Sequence, residues 1–271
     1  MRIAFIGGGN MARAIVGGLL AKGTQPAEIL VVERDVITRS KLAAQYGVEV
    51  VEAPDKIAHA DVVVFAVKPQ QMREAAAEVA AHAADSLFIS IAAGIRLEDL
   101  ARWLGGRTRL VRAMPNTPAL VHAGITGLFA PEALAETDRT AAERLLAAVG
   151  ATLWFEREGD LDAVTAVSGS GPAYVFYAIE ALEQAARELG LADGAARSLA
   201  LWTFVGATKL AIERGEEPAT LRAQVTSKGG TTEAAVRMLD ERQVKEAFVA
   251  AVRAACERSQ AMGAELGKDR P

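Results

Sequence analysis

One cysteine, three histidines and 5% aromatic residues in a chain of 271 narrow the chemistry before any motif is read. The single thiol, Cys256, excludes an intramolecular disulfide framework and a cysteine-rich metal site. It falls in the apolar helical pattern Val252, Ala255, Cys256, where a free cysteine packs as a small hydrophobe. His59, His82 and His122 are scattered, without the HExxH or His-x-His spacing that a metal needs. Long hydrophobic runs are missing too: none approaches the ~18 residues that span a bilayer. The chain opens on a short strand that runs into glycines, not on a basic segment followed by an apolar one. The expected compartment is the cytoplasm. No excess of positive charge exists either, with 30 basic and 34 acidic residues for a net −4, so nucleic acid and anionic membrane are not expected partners.

What is present is a 51% hydrophobic, 24% charged chain long enough for one large or two moderate domains. In its first part, short apolar runs alternate with helical patterns. Strands are expected at 2–6, 29–33, 61–67, 87–91, 108–112, 125–130 and 151–155, and helices at 10–22, 36–46, 70–83 and 136–149. The run Asp61-Val62-Val63-Val64-Phe65-Ala66-Val67 is β-branched and unbroken, as in a strand buried on both faces. Such alternation implies a mostly parallel sheet with helices on both sides. Beyond about residue 160 the strand signal stops. Val175, Ala178, Ile179, Leu182, Ala185, Ala186 and Leu189 repeat at helical spacing, and Val244, Ala247, Phe248, Ala251, Val252 and Ala255 mark a last helix. The stretch 198–212 is apolar nearly all round, so it must be buried on all sides, and a small helical domain has little interior to hide it. The expected organisation is an α/β dinucleotide-binding domain of Rossmann type over 1–160 and an all-helical domain over 161–271 that dimerises.

The sequence Ile6-Gly7-Gly8-Gly9-Asn10-Met11-Ala12 fits G-x-G-x-x-[GA] at the first strand-to-helix turn. There Gly7 permits the tight turn, Gly9 lets the backbone approach a pyrophosphate, and Ala12 allows close helix–strand packing. A helix starting at Asn10 offers its N–H groups to that anion. Glu33, ending the second strand, is placed to bond a ribose 2′-OH and favour NAD(H), whereas Arg34 and Arg39 suit a 2′-phosphate and NADP(H). The sequence supports both, and our reading leans to NADP(H). Three further segments end strands, where ligands bind in open α/β sheets. They are Ala66-Val67-Lys68-Pro69, with Lys68 pointing into the crevice; Ala92-Ala93-Gly94, whose small residues leave room for a nicotinamide ribose; and Met114-Pro115-Asn116-Thr117-Pro118, whose Asn116 amide is a donor for a carboxamide or ribose.

The helical half carries two more motifs. Ser168-Gly169-Ser170-Gly171-Pro172-Ala173-Tyr174 is not a nucleophile elbow, and Ser170 is suited to cap a helix whose first turn holds Pro172. Val225-Thr226-Ser227-Lys228-Gly229-Gly230-Thr231-Thr232 is a small, hydroxyl-rich loop running into a helix, able to offer backbone N–H groups to a carboxylate. These two motifs, with the segments already quoted and Val111-Arg112-Ala113, resemble the pyrroline-5-carboxylate reductase family through essentially the whole chain. Lys228 departs from the pattern, since many members carry proline there.

The resemblance implies hydride transfer from a nicotinamide to the C=N carbon of 1-pyrroline-5-carboxylate, giving L-proline. It implies NADP(H) or NAD(H) as cofactor and a homodimer through the helical domain, with larger rings of dimers in some members. It also implies a substrate carboxylate held by Ser227, Gly229, Gly230, Thr231 and Thr232, with the N–H groups of Gly230, Thr231 and Thr232 as donors and the Thr232 hydroxyl at the ring nitrogen. Two rivals stand beside it. A β-hydroxyacid-type dehydrogenase would need a general acid such as Lys209 in the helical half. A non-catalytic nucleotide-binding regulator would have no use for a small-anion loop.

Overall fold

In the computed structural model, which describes residues 1–83 and 85–268, the chain divides into two compact units. One comprises Met1–Ser170 together with the chain from Ala254 onward, the other Gly171–Arg253. The first unit contains β1 (Ile3–Ile6), α1 (Asn10–Ala21), β2 (Ile29–Val32), α2 (Val36–Tyr46), β3 (Glu49–Val51), β4 (Val62–Phe65) and α3 (Met72–Ala80). There follow β5 (Leu87–Ser90), α4 (Leu97–Trp103), β6 (Leu110–Met114), β7 (Gly124–Phe129), α5 (Glu136–Leu146), β8 (Gly150–Trp154) and α6 (Asp160–Val164). The strands form one sheet in the order β3-β2-β1-β4-β5-β6-β7-β8, parallel except for the β6–β7 pair.

Both faces of the central strands are buried, which is why they read as unbroken apolar runs. Ile3, Phe5, Val31, Val62 and Val64 face one core with Ile15, Val16 and Leu145, while Ala4, Ile6, Val63, Phe65 and Phe88 face the other with Met72, Val79 and Leu100. Phe65 and Phe88, neighbours on β4 and β5, stack with ring centroids 6.3 Å apart. Full burial of each such side chain contributes about 1.5–3 kcal/mol. Three elements escape sequence reading because they are short: the edge strand β3, with three residues, α4, with seven, and α6, with five.

The boundary at 160/161 is corrected by how the following segment packs. Helix α6 leads into a π-helical turn, Thr165–Gly169, in which the Ser170 N–H reaches back to the Thr165 carbonyl at 2.8 Å. Asp162 and Glu158 belong to a charged cluster inside the first unit. Arg112, on β6 and 2% exposed, donates to Glu158 at 3.3 Å and lies 3.7 Å from Asp162. Asp162, also buried, accepts from Arg96 at 2.6 Å and from the Ser259 hydroxyl at 2.8 Å. Glu158 takes the Leu97 N–H at 2.8 Å, at the start of α4. Ser259 lies on the last helix, and so the chain's end joins the first unit. Burial pulls the Arg112 guanidinium below its ordinary pKa, against the opposing pull of Glu158 and Asp162.

The second unit holds α7 (Gly171–Glu188), α8 (Asp193–Arg214), α9 (Pro218–Gln224), α10 (Thr231–Glu241) and the beginning of α11 (Val244–Leu266). Helix α9, seven residues behind a proline, is another short element that periodicity does not reveal. Only Ala196 and Ala200 of α8 are fully buried, and no residue of α7, α9 or α10 is. Trp202, Ile212, Tyr177 and Phe176 stand 60–76% exposed. Apolar surface on this scale marks a protein–protein interface.

Replacing Asp162 with alanine is expected to cost about 3–5 kcal/mol, because two guanidinium groups lose their shared carboxylate in a desolvated site. Ser259→Ala, which removes one hydrogen bond, is expected to cost about 1 kcal/mol. Urea unfolding of both variants at one fixed protein concentration checks the ranking; equal losses would show that the carboxylate is not the centre of the cluster.

Candidate cofactor and substrate sites

Strand order reverses between β1 and β4, and there the carboxyl ends of β1, β2 and β4 open a cleft of about 230 Å³. Its walls are Ile6, Gly7, Gly8 and Gly9 from the β1–α1 turn, Glu33 and Arg34 after β2, Ala66, Val67 and Lys68 after β4, and Glu74 and Glu78 on α3. The glycines differ in function. Gly7 has φ +97°, and a Cβ there would stand 2.8 Å from the Ala66 carbonyl oxygen. A side chain at Gly9 would meet no atom within 4 Å. Gly7 is therefore required by the fold, whereas Gly9 leaves open space at the N-terminus of α1. Its absent Cβ clears the approach to the orphan N–H groups of Asn10 and Met11, as a pyrophosphate requires. Ala12, 1% exposed, packs into the core, which lets α1 lie close to the sheet. These features fit a dinucleotide.

At the ribose end, Glu33 does not project freely. One carboxylate oxygen accepts from the Gly8 N–H at 2.8 Å and the other from the Asp35 N–H at 2.9 Å. Arg39 bonds the carbonyls of Glu33 and Arg34 at 2.9 and 2.7 Å and the Glu52 carboxylate at 3.1 Å, so it braces the turn. Arg34, by contrast, lines the cleft. Its guanidinium donates to Glu74 at 2.8 Å and to Glu78, and both pairs raise its pKa, the Glu74 hydrogen bond most.

Other expected cofactor residues do not line this cleft. Ala92 is buried, and Gly94, at φ +77°, faces Met262 and Gly263 of α11 at 3.4 Å from a would-be Cβ. With Ala93 between them, the small residues of this turn make room for a helix. The Asn116 amide is likewise committed. Its oxygen accepts from the Ile125 N–H at 2.9 Å and its nitrogen donates to the Ser168 carbonyl at 3.1 Å, pinning the turn before β7 to the π-helical segment. Nor does Ser170 cap a helix. Its φ of −87° and ψ of −20° are helical, and the Ser168 hydroxyl bonds the Val164 carbonyl at 3.0 Å.

In the second unit, Ser227, Lys228, Gly229 and Gly230 form a tight turn into α10, with Gly229 at φ +76° and Gly230 as the N-cap. The Gly230 N–H donates to the Ser227 carbonyl at 3.0 Å and the Gly229 N–H to the Glu233 carboxylate at 2.6 Å. The expectation that Gly230 donates to a substrate is thereby corrected, because the turn itself consumes that donor. The N–H groups of Thr231 and Thr232, in the first turn of α10, have no carbonyl within the helix to receive them. Glu233 was not singled out from sequence, although its place three residues after an N-cap is a recognised signal. Lys209 is exposed beside Glu213 at 3.7 Å. Among the described residues no His, Cys, Asp and Glu group is arranged to hold a metal, and no helix is long and apolar enough to cross a membrane.

Fold and cleft together define a class: a Rossmann-type dinucleotide-binding domain joined to a helical domain that self-associates. Residues 2–94 match the family described as NADP oxidoreductase, coenzyme F420-dependent, and residues 158–262 match pyrroline-5-carboxylate reductase dimerisation. The pyrroline-5-carboxylate reductase of Pseudomonas aeruginosa is 43% identical over 269 residues, covering 98% of each chain. A pyrroline-5-carboxylate reductase structure from Coxiella burnetii superposes with a TM-score of 0.91 at 41% identity, covering 96% of this chain and 98% of that one. The Plasmodium falciparum structure, with NADP bound, superposes at 0.86 with 27% identity over 97% and 98% of the two chains. The chain belongs to the pyrroline-5-carboxylate reductase family.

Because space is open above Gly9, Gly9→Ala is expected to leave stability within about 1 kcal/mol of wild type, the cost of a poorer cap, while dinucleotide affinity falls roughly tenfold or more as the pyrophosphate is pushed off the helix end. Thermal unfolding and calorimetric titration separate the two effects. Undiminished NADPH binding would remove the pyrophosphate from this turn.

Proposed function

We propose that this chain reduces 1-pyrroline-5-carboxylate to L-proline, the last step of proline biosynthesis, using NADP(H) in preference to NAD(H), in the cytoplasm. The observation that carries the reading is kinship along 98% of both chains, at 43% identity, with a protein named for that activity. The cleft at Gly7, Gly8 and Gly9 supports a dinucleotide, and the open end of α10 supports a small carboxylate. The NADP-bound Plasmodium relative and the cleft-lining Arg34, placed just after β2, support the 2′-phosphorylated cofactor.

When bound, the cofactor supplies the hydride that reaches the C=N carbon. The chain's own residues then have three tasks. Backbone N–H groups of Thr231 and Thr232, aided by the helix dipole, hold the carboxylate. Ser227, Gly229 and Gly230 keep the turn tight enough to aim those groups, and the bond from Gly229 to Glu233 fixes it. The Thr232 hydroxyl holds a proton at the ring nitrogen, which gains it as the carbon gains the hydride. No stronger acid is required, since an imine nitrogen enters protonated or takes its proton from a hydroxyl and water. Most of the acceleration is positional, and holding reacting atoms in line is worth several orders of magnitude.

Mixing the purified protein with 1-pyrroline-5-carboxylate and following NADPH and NADH loss separately tests the reading. Oxidation of NADPH faster than NADH is expected, and no oxidation of either by a protein that still binds a dinucleotide would overturn it. Thr232→Ala is expected to lower turnover roughly ten- to hundredfold without abolishing it, in keeping with the loss of one proton-holding group. Wild-type turnover in that variant would end the role of its hydroxyl.

A further inference from the structure

The arginine that faces the cleft is already occupied. Arg34, at the end of β2, reaches across the opening to α3, where one terminal nitrogen meets Glu74 at 2.8 Å and the other meets Glu78. All three side chains line the same cleft as Gly7, Gly8 and Gly9. Glu74 and Glu78 are four residues apart on one helix face, where two carboxylates repel each other unless a cation lies between them. Arg34 is that cation. A phosphate on the ribose 2′-position needs the same planar fork of donors, since guanidinium pairs bidentately with phosphate as it does with carboxylate.

Alternative cations are few. Arg39 spends its guanidinium on the carbonyls of Glu33 and Arg34 and on Glu52. Of the other charged residues lining the cleft, Lys68 is cationic and Glu33 is anionic and tied to the Gly8 and Asp35 N–H groups. Three carboxylates therefore face two cations in the cleft, and His82 and Glu52 border the adjoining hollow with Arg34 and Glu78. A second phosphate entering here must both take Arg34 from its partners and sit in a field left net negative.

We propose that Glu74 and Glu78 are specificity-determining residues that compete with the cofactor's 2′-phosphate for Arg34 and so limit the preference for NADPH over NADH. This rests on the reading of the cleft as the cofactor site. The glutamates act through Arg34, and their removal frees a cation that phosphorylated and unphosphorylated cofactors value differently. Both ion pairs are solvent-exposed, and exposed pairs are individually weak.

Calorimetric titration of the full-length protein with 2′,5′-ADP and with 5′-AMP isolates the effect, because the two probes differ only in the 2′-phosphate. In Glu74→Gln/Glu78→Gln the affinity ratio is expected to move about three- to tenfold toward 2′,5′-ADP, the scale of two released surface pairs, with 5′-AMP affinity rising less. Raising the salt concentration is expected to shrink that shift. Arg34→Gln is expected to erase the preference and to make the two glutamines inconsequential in the triple variant. An unchanged ratio in the double variant overturns the proposal, and a fall in 2′,5′-ADP affinity does so too, since it would mean that the glutamates present Arg34 to the phosphate. Failure of wild type to bind either probe or NADPH would overturn the cofactor site and this inference with it.

Discussion

The first unit is organised around a desolvated charge that has to be matched. Arg112 sits on β6 with 2% of its surface exposed, and a buried guanidinium is costly unless its donors are met. The residues that meet it come from separate parts of the chain: Glu158 before α6, Asp162 within α6 and, through Asp162, Arg96 before α4 and Ser259 on α11. Two cations and two carboxylates balance. Hydrophobic contacts alone would let α6 and the end of α11 slide over the sheet at little cost. A four-charge cluster permits few arrangements, so it fixes the register of the segment that leads into the helical unit. The same geometry explains Gly94 and Gly263. With α11 held by Ser259, its next turn comes so close to the β5–α4 turn that a Cβ at Gly263 would stand 3.0 Å from the Gly94 carbonyl oxygen, while Gly94 itself is held at φ +77°.

The helical unit follows a different economy. Its α8 is apolar nearly all round, with Leu199, Leu201, Trp202, Val205, Leu210 and Ile212 all exposed in the single chain. Helix α7 adds Phe176 and Tyr177. A helix of this kind is stable only when something covers it. Membership of a family whose dimerisation region matches residues 158–262 identifies the cover as a second copy. Self-association here completes the hydrophobic core, and the stability of the helical unit cannot be separated from protomer concentration.

Much of this was legible in the sequence, for reasons that also explain what was not. Strands β1, β2, β4 and β5 announce themselves because double burial leaves no charged position, as in Val62-Val63-Val64-Phe65 or Leu87-Phe88-Ile89. The glycine turn is legible because G-x-G-x-x-A records three separate steric demands. The short elements β3, α4, α6 and α9 do not repeat a period long enough to read. Partnerships across long separations are the larger blind spot. Arg34 meets Glu74 and Glu78 across 40 and 44 positions, and Arg112 meets Glu158 across 46. Asn116 looked like a ligand donor because an amide between two prolines is well presented, yet its partners, Ile125 and Ser168, are backbone groups. A polar side chain at a strand end serves a ligand or the fold, and only the location of the remaining donors and acceptors distinguishes these uses.

The shortage of reactive side chains noted at the outset fits the chemistry. Imine reduction asks for a hydride supplied by a cofactor and a proton that the substrate already holds or readily takes. A protein for this reaction needs to hold two small anionic molecules in a fixed relation, and backbone N–H groups do that without titrating. Two glycine turns of the chain stand at the N-terminus of a helix, one before α1 and one before α10, where backbone N–H groups are open to an anion. In both, one glycine has a positive φ that bends the chain, Gly7 and Gly229, and a later glycine becomes the N-cap, Gly9 and Gly230. A neighbouring carboxylate then fixes the turn by accepting a backbone N–H, Glu33 from Gly8 and Glu233 from Gly229. The two turns share one local solution on unrelated scaffolds, a parallel sheet and a helical array.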